Sequence, residues 1–329
     1  MPELLPAALA ILAGFVGLVW SADRFVGASA AIAKLAGLSP LIIGLTIVSL
    51  GTSAPEVMVS LSAALRGAGD LAVGNALGSN LANIGMVLGA TALIARLPIQ
   101  KHLLTCELPV LLLVTAAAGF VLYDAKLTWV DGVILAGLLI PVMLFIIRAK
   151  TRDLTPGEVV AEEEEIPDMS KGQAWLWFVI GLAVLIGSAE LLVFGAETTA
   201  LAFGVSPLIV GLTVIAIGTS LPELAASVMS ALKGHHDIAL GNIIGSNIFN
   251  LLAVMAVPGL IQTTQIDPAA FSRDYASMAG LTLLLALGMA AAFLFRADKS
   301  KAGIGWPFGL SMLGLYAGYY VILYQTTAQ

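Results

Sequence analysis

The sequence predicts an all-α polytopic membrane protein with ten transmembrane helices, arranged as two inverted repeats of five, in which helices 2 and 7 are broken. Three observations carry this prediction. Hydrophobic residues make up 59% of the 329-residue chain and charged residues 11%, whereas a soluble domain has about 25% charged residues. The mean hydropathy is +0.99. Finally, one polar pattern occurs twice in the chain, 167 residues apart.

Ten apolar runs are long enough to cross a bilayer as helices, which takes about 20 residues. The first and sixth are the longest, so we expect them to tilt strongly. The runs cover residues 4–32, 40–65, 71–96, 103–123, 128–148, 173–200, 207–232, 238–262, 275–295 and 303–324.

The repeated polar pattern has two parts. Residues 39–56 read SPLIIGLTIVSLGTSAPE and residues 206–223 read SPLIVGLTVIAIGTSLPE. The second part is AVGNALGSNLAN at 72–83 and ALGNIIGSNIFN at 239–250. Polar groups are costly at membrane depth, so a duplicated set of them inside apolar runs predicts a substrate site.

The basic residues predict which loops face the cytoplasm. Of the Lys and Arg residues in the loops between the predicted spans, eleven lie in one set of alternate loops and three in the other. The positive-inside rule places the richer set of loops in the cytoplasm. Both termini are then expected outside it. Because each repeat has an odd number of spans, the second repeat crosses in the opposite sense to the first. The richer set is Lys34, Arg96, Lys101, Arg148, Lys150, Arg152, Lys171, Lys233, Arg296, Lys299 and Lys301, and the poorer set is Arg66, Lys126 and Arg273.

A linker separates the two predicted repeats. The expected segments are a first repeat at 1–150 with its motif at 39–83, an acidic linker at 151–172, and a second repeat at 173–329 with its motif at 206–250. The linker contains Pro156, Gly157 and the run Glu162–Glu165. We expect a solvated cytoplasmic tether, since short blocks of like charge are usually disordered. A weak regulatory cation site is the alternative.

The GTSAPE segment predicts a break in the second span. Pro55 has no N–H and clashes with the carbonyl four residues earlier, at Gly51. The carbonyls of Ser49–Thr52 are therefore expected to lose helical partners and to become available to hard cations. The same reasoning applies to the seventh span, at Gly218 and Pro222.

Polar side chains cluster around both predicted breaks. Glu56 and Glu223 follow directly, and a carboxylate at this depth needs a proton or a cation. Together they carry a formal charge of −2, which one divalent or two monovalent cations would neutralise. Hydroxyl oxygens are supplied on adjacent turns by Thr52, Ser53, Thr219 and Ser220.

The GSNxxN segments supply a second wall. Ser79 and Asn83 are spaced i, i+4 and share a helix face, as do Ser246 and Asn250. Neighbouring asparagines are expected instead to bond freed backbone groups; these are Asn75, Asn80, Asn242 and Asn247.

The candidate ligands are all oxygens, which favours Ca²⁺ or Na⁺ over Zn²⁺ or Cu⁺. His235 and His236 are predicted in a solvent-facing loop. Neither a nucleophile–base pair nor a zinc-type histidine cluster is visible, so an enzyme is disfavoured and no cofactor is expected. Basic patches that would indicate nucleic-acid binding are lacking too.

GTSAPE…GNALGSNLAN and GTSLPE…GNIIGSNIFN closely resemble the alpha-1 and alpha-2 repeats of the cation/Ca²⁺ exchanger superfamily, and above all those of prokaryotic sodium/calcium exchangers. The resemblance covers the whole chain. It implies alternating-access exchange of about three Na⁺ inward for one Ca²⁺ outward, which moves one net charge. It also implies a monomer in the inner (plasma) membrane of a prokaryote.

The resemblance implies a role for each motif position. Glu56 and Glu223 match acidic ligands of both ions, and Asn83 matches an amide ligand. Asn250 stands where some relatives carry Asp, which favours a K⁺-independent exchanger. The backbone-carbonyl ligands implied are Thr52 and Thr219, with Ser49 and Ala216 as outer Na⁺ ligands; the hydroxyl ligands implied are Ser53, Ser220, Ser79 and Ser246.

Two other transport modes fit the residues. The paired carboxylates could equally carry protons, which makes an antiporter of Ca²⁺ or Na⁺ against H⁺ the first alternative. A cation channel is the second, although two inverted broken helices favour alternating access over a continuous pore.

Overall fold

The computed structural model describes residues 4–153, 167–203, 216–298 and 301–327, and these are mostly helical. The helices are α1 (Leu4–Ala36), α2 (Pro40–Thr52), α3 (Ala54–Leu65), α4 (Gly69–Ile94), α5 (Leu103–Leu122), α6 (Trp129–Asp153), α7 (Lys171–Ala202), α8 (Ala216–Thr219), α9 (Leu221–Leu232), α10 (His236–Ile261), α11 (Ala270–Leu294) and α12 (Trp306–Thr327). The two-residue strands are β1 (Leu97–Pro98), β2 (Lys126–Leu127), β3 (Thr264–Gln265) and β4 (Gly303–Ile304).

The membrane spans follow the predicted order. Within the described ranges, eight helices are long and apolar enough to cross a membrane, and α2 with α3 forms a ninth span bent by 43°. The remaining predicted span, 207–232, lies partly outside the described residues, and its described part is α8 with α9. The ten-span arrangement is consistent with these elements, whose ends lie within a few residues of the predicted ones.

Helices α1 and α7 pack antiparallel and show the inverted symmetry directly. A Cβ added to Gly14 would lie 2.7 Å from the backbone nitrogen of Leu192, and one added to Gly181 would lie 2.9 Å from that of Phe25. The 167-residue offset converts each of these contacts into the other. Each glycine therefore allows one long helix to approach the backbone of its symmetry mate.

The buried side chains form two separate apolar clusters. The smaller, which we call the α1–α7 cluster, contains residues such as Phe25, Val26, Phe178 and Leu185 together with a few residues of α2, α9 and α10. The larger is built mainly from α4, α5 and α10–α12. The two long helices thus pack chiefly on each other, and only a few residues of neighbouring helices join their cluster.

Short strands tie the repeats together at two places. In β1 and β4, Leu97 pairs with Ile304, and in β2 and β3, Leu127 pairs with Thr264. Both ladders are antiparallel, and each joins a loop of one repeat to a loop of the other. The repeats are thus joined by backbone hydrogen bonds as well as by side-chain packing.

The predicted linker is described only at its ends. Helix α6 runs three residues into it, to Asp153. Helix α7 begins after a capping box, in which Ser170 and Gln173 satisfy each other's backbone N–H groups. The acidic run lies outside the described residues, so the solvated tether stays a prediction.

Candidate ion-binding site

Both predicted helix breaks occur at a serine. Ser53 separates α2 from α3 with φ −83° and ψ 8°, and Ser220 separates α8 from α9 with φ −91° and ψ 6°. Pro55 and Pro222 are the second residues of the helices that follow. Proline is tolerated in the first turn of a helix, where its missing N–H has no partner to lose. The predicted break in the second span is therefore confirmed.

Each break packs against a helix of the opposite repeat. The end of α2 lies on α10, and α8 lies on α4. The first of these contacts is close, because a Cβ added to Gly245 would lie 2.5 Å from the carbonyl oxygen of Leu45 and 2.7 Å from Ser49 Oγ. Only glycine permits this approach, which brings the two polar motifs to one place inside the protein.

The two carboxylates at this place are fully buried. Glu56 and Glu223 are both 0% exposed. Glu223 Oε1 accepts a hydrogen bond of 3.0 Å from Ser53 Oγ of the other repeat. Among the described residues, neither oxygen of Glu56 has a hydrogen-bond partner. Buried unpaired carboxylate oxygens are costly, so the arrangement needs a proton or a cation.

Other predicted ligands are also buried without hydrogen-bond partners. In the described part of the chain, the side-chain polar atoms of Asn83, Asn250, Ser220 and Ser246 are buried without hydrogen-bond partners. Ser79 is buried as well. Amide and hydroxyl oxygens together with two carboxylates are the kind of donor set that suits a hard cation such as Ca²⁺.

Asn83 and Asn250 each begin a π-helical turn, Asn83–Leu88 in α4 and Asn250–Val254 in α10. The first turn packs against α9, and the second against α3. Each amide therefore belongs to a helix that contacts the glutamate helix of the other repeat. π-helical turns inside α-helices are frequent at functional sites.

The structure locates three of the residues predicted to bind ions through backbone carbonyls, which are Ser49, Thr219 and Ala216. The carbonyl of Ser49 keeps a helical partner, the N–H of Ser53 at 3.0 Å. The expectation that this carbonyl is freed is therefore wrong, because the break begins a full turn later. Thr219 is half-buried, and Ala216 is the first residue of α8.

Asparagine side chains brace the glutamate turns. Asn75 Nδ2 donates to the carbonyl oxygen of Glu56 at 3.0 Å and to Ser60 Oγ at 3.1 Å. The expectation that Asn75 bonds a backbone group is confirmed, but the same expectation is wrong for Asn80, whose amide atoms have no hydrogen-bond partner among the described residues. The acceptor for Asn75, however, is the glutamate after the break and not a carbonyl before it.

Asn242 repeats this brace in the second repeat. Its Nδ2 donates to the carbonyl of Glu223 at 3.4 Å and to Ser227 Oγ at 2.9 Å, and its Oδ1 accepts from Thr52 Oγ1 at 3.1 Å. Sequence reasoning missed Ser227 and its mate Ser60. The available signal was their shared 167-residue offset and their position four residues after each glutamate.

The prediction of two solvent-facing histidines is wrong for His235, which is 6% exposed. Gly234 has φ +80° and turns the chain back, so that the His235 N–H reaches the carbonyl of Ser230 at 2.8 Å. His236 is the first residue of α10.

Inverted repeats with facing broken helices are the architecture of secondary transporters. A family model described as sodium/calcium exchanger protein matches residues 6–148 and 173–325. This chain therefore belongs to the sodium/calcium exchanger family.

Individual relatives match over most of their length. CaxA of Alkalimonas amylolytica is 44% identical over 98% of this chain and 100% of its own. The inner membrane protein YrbG of Escherichia coli is 43% identical over 86% of this chain and 89% of its own. A solved structure of the sodium-calcium exchanger NCX_Mj superposes with a TM-score of 0.80 at 30% identity, covering 97% of this chain and 99% of that one.

Proposed function

We propose that this protein is a secondary antiporter that exchanges Na⁺ for Ca²⁺ by alternating access. The observation that carries the proposal is the pair of fully buried glutamates, one from each repeat, whose helices contact helices with buried amides and hydroxyls that have no partners in the described structure. Such a site is favourable only when cations or protons neutralise its carboxylates. Membership in the sodium/calcium exchanger family supports the choice of ions.

Shared ligands provide the coupling. Glu56 and Glu223 together carry two negative charges, which one Ca²⁺ or two Na⁺ neutralise. Because both ions need the same carboxylates, the binding of one displaces the other. We infer about three Na⁺ inward for each Ca²⁺ outward, so one net charge crosses per cycle and a potential of 100 mV contributes about 2.3 kcal/mol.

The proposed ligands come from both motifs. Glu56 and Glu223 supply carboxylates, and the amides are those of Asn83 and Asn250. Hydroxyl oxygens come from Ser53, Ser220, Ser79 and Ser246, and backbone carbonyls from Thr52, Thr219 and Ala216. The Ser49 carbonyl keeps its helical hydrogen bond, so it would bind an outer Na⁺ only through its second lone pair. No further cofactor enters the mechanism.

We further propose a monomer in the inner membrane of a prokaryote, with both termini outside the cytoplasm. The excess of Lys and Arg in one set of loops supports this orientation. The repeats at 1–150 and 173–329 then form two halves joined by a cytoplasmic linker at 151–172.

The experiment is ⁴⁵Ca²⁺ uptake into proteoliposomes driven by an outward Na⁺ gradient. Glu56→Gln and Glu223→Gln are each expected to abolish it. Glu107→Gln is the matched control, because Glu107 is also a fully buried carboxyl group but lies on α5 beside His102. Full uptake in either site variant would contradict the assignment. Wild-type uptake driven by a pH gradient without Na⁺ would replace Na⁺ by H⁺ as the coupling ion.

A further inference from the structure

The α1–α7 pair is fastened to the rest of the protein by an ion pair. Lys233, at the residue after α9, places its Nζ 2.8 Å from Asp23 Oδ1 and 2.9 Å from the carbonyl oxygen of Asp23. Asp23 lies on α1. The contact therefore joins one of the long helices to the end of the helix that carries Glu223.

The inverted repeat contains the same two charges a second time. At the 167-residue offset, Asp23 corresponds to Glu190 on α7, and Lys233 corresponds to Arg66 at the end of α3. Both Glu190 and Arg66 are exposed. Within the described residues they form no ion pair with each other or with another group. One of two symmetry-related ion pairs is thus made, and the other is open.

Helix packing shows the same asymmetry. Helix α1 packs along α9, whereas the symmetry-related helices α7 and α3 make no comparable contact. Ala226 of α9 is consequently 0% exposed, while its mate Val59 of α3 is 37% exposed. The ion pair is made where the helices close together and is absent where they stand apart.

The α1–α7 cluster gives this asymmetry a physical basis. Most of the α1–α7 cluster comes from the two long helices themselves, with only a few residues of α2, α9 and α10, and it is separate from the larger cluster. A unit packed in this way can slide as a body against its neighbours in a shear motion. By symmetry, a slide that opens α1 from α9 closes α7 on α3.

We propose that Asp23–Lys233 and Glu190–Arg66 are alternating latches, each closing one face of the site while the other is open. This inference rests on the proposed alternating-access function. With the predicted orientation, Lys233 lies on the cytoplasmic side, so the present conformation is latched there. Exposed ion pairs are weak, so the loss of one latch should shift the balance of the two conformations by up to about fivefold.

Cross-linking of paired cysteines tests the exchange of latches. The background is Cys106→Ser, because Cys106 is the only cysteine in the chain. The double variant Arg66→Cys with Glu190→Cys reports how often α7 closes on α3. The quantity measured is the rate at which a short bifunctional thiol reagent cross-links the two cysteines. Adding Lys233→Met should raise this rate by up to about fivefold, because it releases the first latch.

Two controls make the result specific. Lys301→Met removes another exposed ion pair, Lys301–Asp298 at 3.3 Å, and should leave the cross-linking rate unchanged. The charge exchange Asp23→Lys with Lys233→Asp should restore the original rate. Equal rates with Lys233→Met and Lys301→Met, or a charge exchange that fails to restore the rate, would overturn the latch.

The cross-linking is done without ion gradients, which separates this proposal from the proposed function. An unchanged rate in a protein that still exchanges Na⁺ for Ca²⁺ refutes the latch alone. A wild type that does not exchange these ions refutes the proposed function, whatever the cross-linking rates.

Discussion

Substituting Glu56 by Gln should stabilise the ion-free protein while removing its response to Ca²⁺. Glu56 is fully buried, and neither of its carboxylate oxygens has a partner among the described residues. The substitution keeps the size of the side chain and removes the ionisable group that has no partner. Function and stability are thus expected to move in opposite directions, as they do at many active sites.

The size of both effects follows from the burial. The Gln amide is also left without partners, so the gain is only the extra cost of a buried group that must give up its charge, and Glu56→Gln should raise the ion-free stability by about 1 kcal/mol. In the wild type, Ca²⁺ at 100 times its Kd adds about 2.7 kcal/mol. Removing one partner of a buried charge pair costs about 3–5 kcal/mol, so Kd should weaken at least about 150-fold. At the same Ca²⁺ concentration the added stability then falls to about 0.3 kcal/mol.

Thermal unfolding in detergent, with and without Ca²⁺, measures both quantities in one experiment. The variant should unfold at a higher temperature than the wild type without ions, and Ca²⁺ should leave that temperature nearly unchanged. Glu107→Gln should keep the full Ca²⁺ response. A variant that is less stable without ions and still gains about 2.7 kcal/mol from Ca²⁺ would refute the reasoning.

Two further substitutions test the contacts between the repeats. Ser53→Ala removes the hydrogen bond to the Glu223 carboxylate and should lower the ion-free stability by about 1.5–3 kcal/mol. The mate Ser220→Ala should have little effect on thermal unfolding, and equal losses would count against the asymmetry. Gly245→Ala places a Cβ 2.5 Å from a backbone oxygen and should cost about 1–3 kcal/mol in chemical unfolding. Gly314→Ala, at an exposed position of α12, should be neutral or slightly stabilising, and similar losses in both glycine variants would contradict the close approach.

The sequence predicts the features that depend on short stretches of chain. Pro55 breaks its helix through its own missing N–H, so the break in the second span needs no knowledge of the tertiary structure. The predicted spans follow from apolar length alone, and where the structure describes their ends, these lie close to the predicted ones. The i, i+4 spacing of Ser79 and Asn83 likewise places both on one helix face before any packing is known.

Contacts between the repeats cannot be predicted from such local sequence patterns. The bonds from Ser53 to Glu223 and from Thr52 to Asn242 join residues 170 and 190 positions apart. They depend on how α2 and α10 cross, which side-chain packing decides.

The asymmetry between the two latches is even less accessible. The duplicated sequence supplies the charges of both pairs, Asp23 with Lys233 and Glu190 with Arg66, but only a particular conformation shows which pair is closed. The sequence shows all four charged residues, but only the helix contacts show which of them pair with each other.

The strand ladders have a consequence for how the chain is made. Leu97 pairs with Ile304, so the loop after α4 cannot complete its ladder until nearly the whole chain has been synthesised. At about 5–20 residues per second, the wait lasts roughly 10–40 s. During this time the backbone groups of β1 are unpaired. Premature release from the ribosome before β4 would therefore leave the loop after α4 without its strand partner.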